Sequence, residues 1–237
     1  MQEILIVFLL FIIYAFIGWI LEVLGKLAEK GKFINRGFLI GPYCPIYGVG
    51  CLLLVYLLEN YKNDLVVLFF MSIIICSILE YTTSYLMEKI FKARWWDYST
   101  KKFNLNGRIC LDTMLPFGFL GVICVYLVNP IIHAFIHIIP SIIIYILGIV
   151  LLIIFISDLI ISFDIIFKFR NTIKTASKDG TEEISKRVRE KFAKRGFLFR
   201  RLLNAFPNVK SPREYLNDIQ SNINDRIIKL KKKRKKK

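Results

Sequence analysis

Five long apolar stretches constrain the fold of this 237-residue chain more than any other feature of its sequence. A helix needs about 20 predominantly apolar residues to cross the hydrocarbon core of a bilayer. Stretches of roughly that length lie at about 4–24, 42–58, 65–90, 109–128 and 141–167. Inside lipid, backbone N–H and C=O groups need partners within the protein, and a helix supplies them. The sequence therefore predicts an all-α, polytopic membrane protein with five transmembrane helices.

The second stretch and the segment after the fourth are the least regular parts of this pattern. Pro42, Pro45, Gly48 and Gly50 interrupt the second stretch, so we expect a short span there. The segment 129–140 has a proline near each end and is too short to cross a bilayer. We expect it to form an interfacial or partly re-entrant turn between spans four and five.

The distribution of Lys and Arg predicts the orientation of these spans. The chain has 34 Lys/Arg and 18 Asp/Glu, a net charge of +16, and residues 1–167 contain 11 of each kind. From the N-terminus onward, the segment before span one, residues 25–41, the loop after span two, residues 89–108, residues 129–140 and the tail carry 0, 4, 1, 6, 0 and 23 Lys/Arg. Basic residues concentrate in cytoplasmic segments. The alternation predicts a multi-pass cell-membrane protein with its N-terminus outside and its C-terminus in the cytoplasm.

Residues 168–237 form the second predicted domain, a basic cytoplasmic tail after the transmembrane domain at 1–167. Apolar residues recur at helical spacing from Ile184 to Phe206, and the chain ends in the basic run Lys231–Lys237. Amphipathic helices with Lys and Arg on the polar face bind anionic membrane surfaces. Because the chain is tethered to the membrane, the anionic inner leaflet is the predicted partner of the tail, and nucleic acid is disfavoured.

Two parts of the transmembrane domain resemble each other weakly. Ile-Leu-Glu at 20–22 recurs at 78–80, and in each copy an Asn, a Pro and a Gly follow in the same order. These three residues lie 71 positions later in the second copy. Both copies would start outside and cross inward, so the pattern predicts a parallel repeat of two helical hairpins followed by a fifth helix. Chance similarity between two apolar hairpins is the alternative.

An acidic side chain in the middle of a span marks the first candidate site. Glu80 lies deep in span three, and Ser77, Ser84 and Glu88 fall on the same helix face. A charged residue near the bilayer centre is costly, so it normally faces the bundle interior and has a partner. Glu22 is the counterpart of Glu80 in the first copy of the repeat.

Two further pairs of charged residues lie at the ends of spans. Arg108 and Asp112 are four residues apart at the inner end of span four, a spacing that favours an ion pair. Asp158 and Asp164 of span five are about 120° apart on a helix, so they share no face. We predict a polar cavity open to the cytoplasm and lined by Glu22, Arg36, Glu80, Arg108 and Asp112. Structural ion pairs between helices are the alternative.

The loop after span one is rich in residues suited to binding. It carries Asn35, Arg36 and Gly37 and leads into a run that contains Pro42, Tyr43, Pro45 and Tyr47. Proline suits the first turn of a helix, where N–H groups lack intrahelical partners. Such N–H groups beside Arg36 favour an anion, so the sequence predicts an anion-binding turn at the start of span two.

The loop after span three carries the second candidate cluster. The run consists of Arg94, Trp95, Trp96, Asp97 and Tyr98, and Asn106 and Arg108 follow it. Trp and Tyr are enriched where the bilayer meets water, so an aromatic belt is one interpretation. The other is that these rings line an entrance for a lipid or a substrate.

Signatures of enzymes and of resident cofactors are missing from the sequence. It contains no G-x-x-x-x-G-K-[ST], G-x-S-x-G or H-E-x-x-H pattern. His133 and His137 are the right distance apart to share a metal on a helix, but no third ligand is near them in the sequence. We therefore predict no cofactor, no metal site and no ATP hydrolysis by this chain alone.

Several segments of the chain together resemble a bacterial membrane family. The segments are YAFIGWILE, GKFINRGFLIGPYCPIYGVG, LEYTTSYLMEKIFKARWWDYS, FNLNGRICL and RRLLNAFPNVKS. They are similar to the CmpB-like family of type IV ABC-transporter permeases. The resemblance covers spans one to four and part of the tail. It implies a transmembrane subunit that works with a separate ATPase, and it carries no known catalytic residues.

Three functions are compatible with these sequence features. The leading prediction is a membrane-transport component, with a separate ATPase subunit or a second copy of the chain as partner. The second is a membrane enzyme or lipid-binding protein that acts on phospholipid headgroups. The third is a membrane scaffold that recruits partners through its basic tail.

Overall fold

The computed structural model of the chain describes residues 2–92, 94–176, 198, 200, 201 and 205. Most of these residues are helical. The helices are α1 (Gln2–Lys30), α2 (Pro45–Leu57), α3 (Leu65–Phe91), α4 (Leu111–Ile123), α5 (Asn129–Ile138) and α6 (Ser141–Ala176). A 3₁₀ turn at Glu59–Tyr61, a π-helical segment at Cys124–Val128 and a two-stranded antiparallel ribbon, β1 (Asn104–Leu105) and β2 (Ile109–Cys110), complete the described elements. The predicted amphipathic helices of the tail lie almost entirely outside the described residues.

Four helical stretches are long and apolar enough to cross a membrane. They are Gln2–Lys30, Leu65–Phe91, Leu111–Ile138 and Ser141–Lys168. Large apolar side chains on their outer faces are exposed, as Phe70 on α3 and Ile146, Ile153 and Ile160 on α6 illustrate. Contiguous apolar surface of this extent is unfavourable in water and suits contact with lipid. The prediction of an all-α, multi-pass membrane protein is confirmed.

The predicted turn at 129–140 is wrong, because the helix continues through most of it. α4, the π-helical segment and α5 form one continuous helical stretch as far as Ile138. Pro130 lies in the first turn of α5, where its missing N–H costs little, and the π-helical segment directly before it adjusts the backbone. Tyr14 of α1 also donates a hydrogen bond to Asn129, with 2.6 Å between the two oxygens. The fourth and fifth long stretches therefore meet at a short connection around Pro140.

α2 is shorter than the predicted second span. It begins at Pro45 and has 13 residues, a length of about 20 Å at 1.5 Å per residue. The hydrocarbon core of a bilayer is about 30 Å thick. α2 alone therefore cannot cross it along the bilayer normal, and the non-helical residues before Pro45 lie beside the middle of α1, as described below.

The helices pack as two neighbouring pairs, α1 with α2 and α3 with α4, and α6 packs against α1. Glycines permit the close approach within each pair. A Cβ on Gly18 of α1 would lie 2.2 Å from the Tyr47 ring of α2, and a Cβ on Gly121 of α4 would lie 2.2 Å from the Ser72 hydroxyl of α3. Small residues let helices approach closely in membranes, where dispersion contacts replace the hydrophobic effect. This packing places polar side chains of α1, α2 and α3 next to one another.

Candidate functional site

Two carboxylates and two tyrosines form a polar centre between the helices. We use this name for Glu22, Arg36, Tyr47, Glu80 and Tyr98. Tyr47 donates a hydrogen bond to Glu22 at 2.9 Å, and Arg36 Nε lies 3.5 Å from the other oxygen of Glu22. Tyr98 donates to Glu80 Oε1 at 3.3 Å. The Glu22 and Glu80 carboxylates are close enough to interact electrostatically. The structure thus brings together residues from α1, α2, α3 and both inner loops.

Glu80 is the most deeply buried member of the polar centre. Its residue surface is 8% exposed, and its Oε2 atom accepts no hydrogen bond from the described residues. Ser77 and Ser84, one turn before it and one turn after it, are also buried, so the predicted polar face of α3 is confirmed. A carboxylate at mid-bilayer costs on the order of 2.5–3.5 kcal/mol. Burial without a cation therefore sets Glu80 apart from an ordinary structural acid.

Glu88, two helical turns further along α3, lies in a different environment. Arg94 Nε is 3.1 Å and Arg108 Nη2 is 3.0 Å from Glu88 Oε2. Arg108 also donates to the Ser84 hydroxyl at 3.3 Å. Both arginine side chains are almost completely buried. This ion-pair cluster fastens the inner loop at 92–110 to the end of α3.

The predicted ion pair between Arg108 and Asp112 is wrong. The i,i+4 spacing would join them only if both lay on one helix, and α4 begins after Arg108, at Leu111. Arg108 is instead directed toward Glu88, and Asp112 is exposed with its carboxylate 3.4 Å from Lys101 Nζ. Asp112 therefore lies apart from the polar centre.

The segment from Arg94 to Tyr98 folds inward as a packed loop. Trp95 is 4% exposed and packs edge-on against Phe38, with ring centroids 5.3 Å apart. Trp96 donates from its indole to the Arg108 carbonyl at 3.1 Å. Trp95 therefore lacks the exposure that an aromatic belt or an open entrance requires of it.

Polar contacts within the same loop aim Tyr98 at Glu80. Asp97 accepts a hydrogen bond from the Ser99 N–H at 3.0 Å, and Arg94 donates to the Asn106 carbonyl at 3.1 Å. Burial raises the pKa of the Tyr98 phenol, and the nearby Glu80 raises it further. Tyr98 consequently keeps its proton and remains a hydrogen-bond donor to Glu80.

The residues before α2 form a non-helical segment at membrane depth. The Cys44 N–H donates to the carbonyl of Ala15, near the middle of α1, at 2.9 Å. Tyr43 and Leu39 are buried against Ala15. Non-helical backbone occurs at this depth only where protein or a water-filled cavity surrounds it. We call residues 38–44 the re-entrant segment, because they bring the start of α2 to the level of mid-α1.

Asp158 of α6 holds the re-entrant segment in place. Its carboxylate accepts hydrogen bonds from the Ile40 N–H at 2.9 Å and the Gly41 N–H at 2.7 Å, and from the Tyr43 hydroxyl. The Ser162 hydroxyl, one turn further along α6, donates to it at 2.8 Å. The sequence predicted an anion at this turn, and Asp158 itself supplies one to N–H groups just before α2. We did not predict Asp158 as a site residue, although the Asp-x-x-x-Ser spacing in an apolar helix was a signal.

Two arginines link the tail to the re-entrant segment and to the residues just before it. Arg201, in the tail, donates to the Leu39 carbonyl at 2.6 Å and to the Phe38 carbonyl at 3.4 Å. Arg36 donates to the Ala205 carbonyl at 3.3 Å. Described parts of the tail are thus packed on the inner end of this segment.

The remaining predicted residues shape the loop between α1 and α2. Asn35 accepts hydrogen bonds from the Trp19 indole at 2.8 Å and from the Gly37 N–H at 3.0 Å. It donates to the Ile40 carbonyl at 3.1 Å. Pro42 is exposed on the turn that Asp158 holds. These residues position the re-entrant segment and Arg36, and Asn106 plays a similar part in the second loop by donating to the Tyr81 hydroxyl at 2.9 Å.

This fold and site define a class of protein: a multi-pass, α-helical membrane protein with a re-entrant segment next to buried carboxylates. Residues 9–163, more than half of the chain, match the family described as "Putative ABC-transporter type IV". The chain belongs to this family, as the sequence resemblance predicted. A search of curated proteins and a search of solved structures each returned no match.

Proposed function

We propose that this chain is the membrane-spanning subunit of a transporter and that its substrate path passes the polar centre. The observation that carries the proposal is the re-entrant segment, whose non-helical backbone lies beside the middle of α1. Transporters commonly build their binding sites from discontinuous helices near the bilayer midplane. The family match and the long apolar helices support the same function.

The chemistry of the polar centre suits a polar or charged substrate. Glu22 and Glu80 provide acceptors, Arg36 provides a cation, and two tyrosine hydroxyls provide donors. Such groups replace part of the water shell of a polar solute inside a medium that otherwise offers no hydrogen bonds. The residues on the apolar outer faces cannot do this.

The proposed topology has five spans, with the N-terminus outside and the C-terminus in the cytoplasm. The second span consists of the re-entrant segment together with α2. The alternation of Lys and Arg between the apolar stretches supports this orientation. A reporter enzyme that is active only in the cytoplasm should be active when fused to the C-terminus, and inactivity there would reverse the orientation.

A parallel repeat of two hairpins is part of the proposal. It is supported by the packing of α1 on α2 and of α3 on α4. In each copy, the loop asparagine hydrogen-bonds an aromatic side chain of the preceding long helix, Asn35 with Trp19 and Asn106 with Tyr81. In each copy the long helix also directs a carboxylate, Glu22 or Glu80, at the polar centre.

We expect a separate ATPase subunit to drive transport, because the chain has no phosphate-binding loop of its own. The experiment is purification of the tagged chain from its native membranes in mild detergent, followed by measurement of ATP hydrolysis. Hydrolysis should copurify with the chain and should be lost when the complex is dissociated. Preparations that hold the intact chain without ATPase activity would count against the ABC-transporter assignment.

The role of the polar centre is tested by complementation of a strain that lacks the gene. Arg36→Ala and Tyr47→Phe should insert normally into the membrane. They should fail to restore the wild-type phenotype, because they remove groups that contact Glu22. Asp112→Asn is the matched control, because Asp112 is exposed and lies apart from the polar centre. Full complementation by Arg36→Ala would exclude the polar centre as the substrate path.

A further inference from the structure

Glu80 is a buried acid that has no cation partner in the described part of the chain. Among the described residues, the ion pairs of the polar centre and the inner loop involve Glu22, Glu88, Asp97 and Asp112, and none involves Glu80. The charged group that acts on it most directly is Glu22, another carboxylate. A carboxylate inside a membrane span is costly unless a cation or hydrogen-bond donors accompany it.

The other groups that face Glu80 come from each element packed around it. Tyr98 of the inner loop donates one hydrogen bond to Oε1. Thr113 of α4 and Cys76 of α3 lie beside the carboxyl, and Tyr47 of α2 lies within electrostatic range. All of these groups are uncharged when protonated, so none of them balances a negative charge on Glu80.

The hydrogen bonds around Glu80 leave one oxygen of its carboxyl group without a partner in the described residues. Thr113, near the carboxyl, uses its hydroxyl within its own helix start, where it donates to the Cys110 carbonyl at 2.9 Å and accepts from the Cys110 N–H at 3.4 Å. Glu80 Oε2 and the Ser77 hydroxyl, one helical turn apart and both at least nine-tenths buried, have no hydrogen-bond partner in the described residues. A negative charge on Oε2 would therefore be buried without a hydrogen bond to stabilise it, and protonation removes that charge.

We propose that Glu80 is a proton-binding site of the polar centre and that it holds a proton at neutral pH. This inference rests on the proposed transport function for its consequence, a proton that enters or leaves the site as the substrate passes. The proton exchanges with the cytoplasm by way of Glu22, which is partly exposed and adjacent to Glu80. Glu22 differs from Glu80 in having a cation close by, since Arg36 Nε lies 3.5 Å from its carboxylate.

The first experiment uses a hydrophobic carbodiimide, which reacts from the membrane with protonated carboxyls. The carboxyl proton moves to a carbodiimide nitrogen while the carboxyl oxygen adds to the central carbon, and rearrangement gives a stable N-acylurea. Mass spectrometry of the full-length protein in membranes at neutral pH should find this adduct on Glu80 and none on Glu88. Glu88 is the control on the same helix, because two arginines lie within 3.1 Å of its carboxylate and pair with it.

The pH dependence and two variants sharpen this experiment. Labelling should decline about tenfold per pH unit above the pKa of Glu80, because only the protonated form reacts. Glu80→Gln should abolish it. In the Tyr98→Phe variant, labelling of Glu80 should persist to a higher pH, because the substitution removes the hydrogen bond that favours the carboxylate. Labelling that does not change with pH would contradict the proposal.

Infrared spectroscopy measures the protonation of the carboxyl directly, without a reagent that has to reach Glu80. At neutral pH the wild type should show the C=O stretch of a protonated carboxyl, and the band should be missing in Glu80→Gln. Its absence from the wild type at neutral pH would overturn the proposal.

These readouts separate the proton site from the transport function. Both are made on the protein without substrate or ATP, so a missing ATPase subunit would leave them unchanged. If Glu80 is ionised in a chain that still copurifies with ATP hydrolysis, the proposal of a proton site fails and the proposed transport function stands.

Discussion

Glu80 and Glu88 lie on the same face of α3, about 12 Å apart, in opposite surroundings. Glu88 has two buried arginines within 3.1 Å, whereas Glu80 has a single tyrosine hydroxyl and an oxygen without a partner. The difference follows from the inner loop at 92–110, whose arginines reach the end of the helix but not its middle. Residue type alone does not separate a structural acid from a functional one, and the placement of the cations does.

The two acids should respond in opposite ways to removal of charge. A carboxylate held by arginines stabilises the fold only while it is charged, because its loss leaves buried cations without a partner. A carboxyl that is already neutral loses little when an amide replaces it. The predictions below test this contrast and extend it to the other buried acid, Asp158.

The largest effect is expected for Glu88→Gln. It would leave Arg94 and Arg108 buried beside a neutral amide, at a cost of about 3–5 kcal/mol. Thermal unfolding of the purified protein in detergent measures the change. Glu59→Gln is the matched control, since the Glu59–Lys62 pair is exposed and contributes little. Equal melting temperatures for both variants would show that the Glu88 cluster is not a structural anchor.

Asp158→Asn should have the next largest effect. The amide cannot accept from the Ile40 and Gly41 N–H groups and from Tyr43 as the carboxylate does, and a hydrogen bond to a charged group is worth about 1.5–3 kcal/mol. Loosening of the re-entrant segment should show as faster amide exchange at residues 38–44. Asp164→Asn is the control on the same helix, because Asp164 is exposed and pairs only with Lys168. Unchanged exchange in Asp158→Asn would mean that packing alone holds the segment.

Gly18→Ala should have a smaller effect, which acts through Tyr47. The added Cβ would lie 2.2 Å from the Tyr47 ring, and overpacking of this kind costs about 1–3 kcal/mol. Because Tyr47 donates to Glu22, complementation should fall along with the melting temperature. Gly25→Ala is the control, since its Cβ would meet nothing within 4 Å. Equal behaviour of the two variants would argue against close packing of α1 on α2.

The polar face of α3 could be predicted from sequence, whereas the role of Asp158 could not. Ser77, Glu80 and Ser84 follow the helical period, and a period is visible in one segment of sequence. Asp158 is held by backbone N–H groups 117 and 118 residues away. Every residue except proline carries such a group, so no residue type marks the partner. From sequence alone, Asp158 could therefore be described only as lying on a different helix face from Asp164.

The error at Arg108 and the error at 129–140 have one cause, the position of helix ends. The spacing of Arg108 and Asp112 predicts a pair only inside a helix, and α4 begins between them. Pro130 suggested an end, yet proline is tolerated in a first helical turn and beside a π-helical segment. Helix boundaries depend on tertiary contacts such as the Tyr14–Asn129 hydrogen bond, which a local pattern does not contain.

Glu80→Gln should have the smallest effect on stability, within about 1 kcal/mol of the wild type. Glutamine has nearly the shape of a protonated glutamic acid, and its carbonyl can accept the Tyr98 hydrogen bond. The melting temperature should therefore stay near that of the wild type while complementation is lost. A drop as large as that of Glu88→Gln would show that Glu80 is ionised and paired in the folded protein. In that case the contrast between the two acids of α3 would disappear.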